Sequence, residues 1–408
     1  REVVGEAHAV LGTFRTLATD GLSGELFYEG EQAGKAEIAG TLGIDEVGED
    51  PSRELRIGLT GGRFDSVLAE RVVRDVVGGA VAKEYLEHGV RGGFDAVISM
   101  TAPRPAIGNT PNEGVARIAF VETTIEPKWA ELTRLGTTVS LGEMSGRLIA
   151  SKQNARLEKI SGSSDRLSVS VSGGATPDGS GGTIADVTFD FDADSLSKEV
   201  RAVLPVEVLA VIDAGLMEVD GPISARGARL RTHKPADSET ARVEFAGLLS
   251  FEDAALTAGA RVERAAGRVR IDFDKPLVGV PEYELEIQAE SASVLGLPMQ
   301  NARAVVRSSG EPRGVLVPVI FAESCDGVIS GTAAVHPAGD WAGQDQRTYE
   351  SLLTFSGLRL NEAIDGFASA RSGVGKEPRP DTGARLVGEL SLGGLVGRDE
   401  TRRGRLDS

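Results

Sequence analysis

Along several stretches of this chain apolar and charged residues alternate with a period of two. Val187, Phe189 and Phe191 interleave with Asp186, Asp190 and Asp192. Val269, Ile271 and Phe273 interleave with Arg268, Arg270 and Asp272, and Tyr283, Leu285 and Ile287 with Glu282, Glu284 and Glu286. Val243, Phe245, Leu249 and Phe251 keep the same spacing, and Leu55, Ile57, Leu59 and Leu167, Val169, Val171 repeat it with less contrast. Successive side chains of an extended strand point to opposite faces, so the pattern predicts strands with one oily and one charged face. A helix advances about 100° per residue and would scatter the same apolar set around its circumference.

Glycine supports the same reading. The chain has 52 glycines in 408 residues, nearly twice the usual share of about 7%. They recur where alternating segments begin or end, as many short strands joined by tight turns require. Helical spacing is confined to two places. In 66–88, Leu68, Val72, Val73, Val76 and Val77 recur every three to four residues until Gly78 and Gly79 interrupt. In 194–214, Asp194 or Ser195 is the expected N-cap and Pro205 the expected start of a second short helix. The two segments end at Gly89 and Gly215, and a shift of about 126 residues brings further landmarks into line. Ala116 to Phe120 then overlies Ala241 to Phe245, and Gly146-Arg147-Leu148 overlies Gly267-Arg268-Val269. The expected organisation is a β-unit over 1–89 ending in a helical segment, a repeat of it over 90–215, and further β-units over 216–408.

Charge narrows the possible partners. There are 61 acidic residues against 44 basic ones, a net charge of −17. Lys and Arg are nowhere concentrated, so nucleic acid is not an expected partner. The single cysteine, Cys325, rules out an internal disulfide and a thiolate metal cage. His8, His88, His233 and His336 show no metal-ligand spacing, and no metal or other cofactor is expected. Alternating acids such as Asp186, Asp190, Asp192 and Asp194 suit a solvated strand face better than a loop wrapped around calcium. There is no Gly-x-Ser-x-Gly elbow, and the glycine-rich stretch 173–182 lacks the Gly-Lys-Ser/Thr ending of a phosphate loop. That stretch and the serine-rich 161–165 read as hairpin turns, so no catalytic residue is nominated and the chain is not expected to be an enzyme. No run approaches the roughly 18 apolar residues that span a bilayer. Opening on Arg1 without a leader, the sequence reads as an interior piece of a longer chain.

Strands oily on one face have two physical solutions. They pair face to face as a closed sandwich, or they continue side by side into a long curved sheet with an oily concave side. With aromatic residues at only 5%, an aliphatic lining is favoured over a compact core, which large rings usually dominate.

Further strings carry a resemblance. They are Leu204-Pro205-Val206-Glu207-Val208 with Gly215, the run Glu239 to Phe251, Gly267 to Ile271, and Pro298 to Arg307. Gly314 to Pro318, Cys325 to Gly331, and Leu386-Val387-Gly388-Glu389-Leu390-Ser391-Leu392-Gly393-Gly394 continue the series. In these strings, best over 190–408, the chain resembles the AsmA-like family, the bridge-like lipid-transfer proteins of AsmA/TamB/YhdP type. The resemblance implies an elongated, twisted, largely antiparallel β-sheet forming an open hydrophobic groove, with a few short helices. It implies passive movement of phospholipid acyl chains between inner and outer membranes in support of outer-membrane biogenesis. It places the protein in the periplasm, anchored to the inner membrane through an N-terminal segment outside this sequence, with membrane-protein partners at both ends. The groove lining is then expected from Val187, Phe189, Phe191, Val243, Phe245, Val269, Ile271, Phe273, Tyr283, Leu285 and Ile287. A charge at Ile271 is expected to impair lipid occupancy with the fold retained. The alternative is a structural or adhesive cell-surface β-repeat protein with a closed core, and a third reading is a polysaccharide-acting enzyme on a β scaffold.

Overall fold

The computed structural model describes residues 16–28, 31–43, 54–72, 90–101, 119–134, 136–151, 154–204, 209, 218–238, 240–258, 260–294, 296–310, 314–337, 347–372 and 383–396. The chain is mainly β, and its strands form an antiparallel sheet that does not close on itself. It divides into two compact units, 1–189 and 190–408. The boundaries expected at 89 and 215 lie outside the described residues.

The first unit is a meander of β1 (Thr16–Tyr28), β2 (Glu31–Gly43), β3 (Glu54–Arg63), β4 (Arg91–Thr101), β5 (Ala119–Arg134), β6 (Thr137–Ser151), β7 (Ala155–Ser163) and β8 (Leu167–Pro177). Each strand pairs antiparallel with the next. β8 is followed by β9 (Thr183–Ala193), whose last four residues belong to the second unit. One short helix, α1 (Val67–Val72), leaves the end of β3. The Ser66 hydroxyl caps it by accepting from the Ala69 N–H at 3.2 Å. Beside it, Phe64 packs on Phe94 with ring centroids 4.7 Å apart, over Leu59, Ala96 and Ile125.

The second unit contains α2 (Lys198–Val203), β10 (Glu218–Asp220), β11 (Ile223–Lys234), β12 (Arg242–Ala258), β13 (Ala260–Lys275), β14 (Glu282–Val294), β15 (Leu297–Ser308), β16 (Val315–Ser324), β17 (Gly327–Pro337), β18 (Arg347–Arg359), α3 (Leu360–Ser372) and β19 (Arg385–Val396). From β11 to β19 the strands again pair in chain order, all antiparallel. The end of β9 lies beside β11: Arg226 donates to the Phe191 carbonyl at 3.0 Å, and the Gly227 N–H donates to Asp190 at 2.6 Å.

Four expectations need correction. α2 is capped by Ser197, whose hydroxyl accepts from the Val200 N–H at 3.4 Å, and not by Asp194 or Ser195. The Leu196 N–H is donated to the Val219 carbonyl at 3.1 Å, which holds the chain extended until after that residue. Gly173 is no hairpin tip: β8 runs on to Pro177, and the tip is 178–182, closed by Asp178 accepting from the N–H groups of Ser180 and Gly182 at 2.8 and 2.9 Å. Ser161 to Ser163 likewise lie in β7, and the turn there is 164–166. The helix α3, with no counterpart among the sequence expectations, packs against β15 and β18. The helical segment expected over 66–88 begins as α1, and its remainder, 73–88, lies outside the described residues, as do Pro205 and, apart from the helical and buried Leu209, the helix expected after it.

α3 seals one end of the second unit. Leu297, Cys325, Ile329, Leu358 and Ala363 form a buried cluster there, flanked by Met299, Phe355 and Leu386. The arginine before the helix, Arg359, pairs with Asp326 and, at 2.9 Å, with Glu362. Burial pushes the Cys325 thiol above its ordinary pKa, so it stays protonated and behaves as a small apolar side chain.

Bulges shape both units. Asp253, Arg264 and Asn301 adopt positive φ of 46°, 50° and 50°, each inside a register shift of its strand. Ala254 pairs with Ala265, Ala266 with Ser291, and Ser291 with Gln300, so these bulges lie at one level across β12 to β15. A bulge bends its strand and increases the local twist, and aligned bulges crease the sheet along one line. Glu143 and Lys159 do the same in β6 and β7 of the first unit.

Candidate functional site: the apolar face of each unit

Directly paired residues of an antiparallel ladder share a face. In the second unit, Ala225, Leu249, Val269, Ile287, Ala304, Ile320, Gly331, Leu353 and Leu390 are paired in succession. This row is apolar from β11 to β19, and eight interstrand steps make it about 38 Å long at about 4.8 Å each. Shorter rows run parallel to it: Leu230, Phe245, Phe273 and Tyr283; Ile271, Leu285 and Val306; Ile223, Phe251, Gly267, Ala289 and Ala302. In the first unit, Ala36, Leu59, Ala96, Ile125, Leu148 and Leu157 form one such row from β2 to β7. Beside it, Ile38, Ile57, Ile98, Thr123 and Ala150 form a second.

The structure places the expected lining residues as follows. Val243, Phe245, Val269, Ile271, Phe273 and Leu285 are buried on β12 to β14, while Tyr283 and Ile287 are half-buried on the same face. Phe191, also buried, sits in the second unit at the end of β9. Val187, half-buried, and Phe189, buried, lie on β9 within the first unit. Sequence reasoning missed Ala304, Ile320, Leu353 and Leu390, and every row member of the first unit except Ile57 and Leu59.

The opposite face of β11 to β15 is largely charged, with Leu248 and Val305 set among the charges. Arg231, Glu244, Asp274 and Glu282 are paired in succession, as are Asp272, Glu284 and Arg307. Like charges directly opposite each other repel, and arginines offset this. Arg242 bridges Glu244 and Asp274 at 2.9 and 2.8 Å, Arg270 reaches Asp272 at 2.9 Å, and Arg307 reaches Glu284 at 2.7 Å. The Asp274 carboxylate raises the Arg242 pKa. Where β13 meets β14, away from α3, a depression of about 900 Å3 opens, lined by Phe245, Phe273 and Tyr283 together with Glu244, Asp274 and Glu282.

In the first unit two carboxyl groups lie below their ordinary range. Asp65 is held down chiefly by its hydrogen bonds from Arg63, at 2.6 and 3.0 Å. Asp95 is held down first by the Gly61 N–H at 3.0 Å, then by Lys128 at 3.1 Å. Each folded value lies below 3.8, the ordinary one, so each contribution is present above that pH and is lost as pH falls through the folded value. Asp95→Asn should therefore destabilise the first unit at pH 7, and the gap to the parent should be narrower at an acidic pH below 3.8. Urea melts at both pH values check this, and an unchanged gap would mean that the Asp95 charge contributes nothing.

Among the described residues no three His, Cys, Asp or Glu side chains converge on a possible metal site. His336 lies 3.3 Å from Glu350, and His8 and His88 lie outside the described residues. No helix among the described residues is long and apolar enough to cross a membrane. Chemically, this arrangement offers an extended aliphatic surface backed by a charged one. The chain matches no protein-family model, no curated protein and no solved structure.

Proposed function

We propose that the apolar face binds phospholipid acyl chains and passes them along its cross-strand rows, without catalysis. The carrying observation is the row from Ala225 to Leu390, apolar through nine strands of a sheet that does not close on itself. Each methylene withdrawn from water onto such a row gains about 0.8 kcal/mol, and a row of near-equivalent aliphatic positions holds no single deep well to arrest a chain. The charged face keeps the sheet in water while the headgroups stay at the solvent edge. The resemblance to AsmA-like proteins extends the proposal to a periplasmic carrier between inner and outer membranes, with further partners at its ends.

A second reading is favoured by the dryness of Val243, Val269 and Leu285, which are only 2–3% exposed. In that reading the apolar side chains pack against one another and the protein is a structural or adhesive rod. Native mass spectrometry of the 408-residue chain, with lipid extraction, separates the two. Several phospholipids per chain support the carrier, whereas a lipid-free, cooperatively melting chain supports the rod.

A further inference from the structure

The hairpin tips along one end of the second unit differ in character. The tip between β11 and β12 carries Pro235, Ala236, Asp237 and Ser238, and is tied by the Thr240 N–H donating to the Ser238 hydroxyl at 3.1 Å. The tip between β13 and β14, residues 276–281, reads Pro-Leu-Val-Gly-Val-Pro. Leu277 is 38% exposed and Val278 is 91% exposed, the most exposed of the large apolar side chains described. Scattered apolar residues on a surface are ordinary, but three aliphatic residues at the end of one projecting hairpin form a patch. The two prolines lack N–H groups, so they lessen the hydrogen-bonding that the tip would forgo on leaving water. The strand ends that lead into this tip, at Asp274 and Glu282, line the depression at Phe273 and Tyr283, at the opposite end of the strands from α3.

We propose that the tip 276–281 dips into the surface of a lipid bilayer, through Leu277, Val278 and Val280. Beside the tip Asp274 and Glu284 are paired with Arg242 and Arg307 at 2.8 and 2.7 Å, so local charge leaves the apolar tip free to enter. The net charge of −17 on the whole chain repels an anionic surface and admits a zwitterionic one. The inference goes beyond the proposed function, because a bilayer can be contacted whether or not the apolar rows hold lipid.

The test is co-sedimentation of the 408-residue chain with phosphatidylcholine vesicles. Val278→Asp should lower the partition coefficient at least about tenfold, because it exchanges an inserted aliphatic group for a charge. Val387→Asp places the same charge at an apolar residue of β19 that is 74% exposed, and should leave partitioning unchanged. Val278→Trp should bind and shift its emission to the blue on adding vesicles, and phosphatidylglycerol should weaken binding in a salt-dependent way. The proposal is overturned if the parent does not bind, if Val278→Asp binds at full strength, or if the Val278→Trp emission does not move. Extracted lipid reports separately on the rows: a chain that carries lipid but ignores vesicles loses only the tip, and one that binds vesicles but carries no lipid loses only the carrier.

Discussion

Ile287→Asp should strip phospholipid from the second unit and leave its thermal transition within a few degrees of the parent, whereas Leu285→Asp should unfold that unit. The two positions are two residues apart on β14 and share its apolar face, and they differ in cover. Leu285 is 2% exposed and lies in the row between Ile271 and Val306, while Ile287 is half-buried in the row between Val269 and Ala304. An unpaired carboxylate at Leu285 would be shut away from water and cost on the order of 3–5 kcal/mol, a large share of a domain's stability. At Ile287 water reaches the carboxylate, so it ionises in place and costs far less. It still puts a charge in the middle of the longest apolar row, where an acyl chain would have to desolvate it. The expectation that Ile271 could carry such a charge gives way here, because Ile271 is itself only 4% exposed. Circular-dichroism melts and native mass spectra of the two variants decide the matter. If Ile287→Asp melts as badly as Leu285→Asp, the face is a closed core. If it keeps its lipid, the lipid lies elsewhere.

Period-two alternation made β12, β13 and β14 legible, because in each a long apolar series faces a charged one and a one-residue slip would bury the charges. Their register follows the same logic: Phe245 meets Phe273, which meets Tyr283, and Ile271 meets Leu285. β5 and β6 were harder, since Thr123, Thr124, Pro127 and Trp129 blur the contrast between faces. α3 carries a helical signal in Leu360, Ala363, Ile364 and Phe367, spaced for one face, but the signal is short and directly follows the strand alternation of β18. The lining was under-read for a physical reason. Ala304, Gly331 and Ala302 are too small to mark a face by themselves, and only the ladder shows that they continue the rows of Ile287 and Ala289. Glycine misled most. Several of the 52 sit inside strands, where the neighbouring backbone approaches too closely for a side chain, and the sequence does not distinguish these from turn glycines.

Gly267 is the sharpest case. It pairs with Phe251 on one side and Ala289 on the other, next to the line of bulges that creases β12 to β15. A Cβ built on Gly267 would meet the Gln288 carbonyl oxygen and the Ala289 Cα, at 2.7 Å for the latter. Both are backbone atoms of β14 and cannot step aside as the end of a side chain can. Gly267→Val should therefore cost about 3 kcal/mol or more, at the upper end for overpacking, through separation of β13 from β14. Gly388 in β19 is the control, since nothing lies within 4 Å of its Cβ position. Gly388→Val should be neutral or mildly stabilising, as a β-branched residue suits an exposed strand. Urea midpoints measure both, and hydrogen exchange localises the damage to β13 and β14. If Gly267→Val were as harmless as Gly388→Val, the two strands would not be held at this spacing. The crease would then be lost, and with it the alignment of Val269 with Ile287 on which the longest apolar row depends.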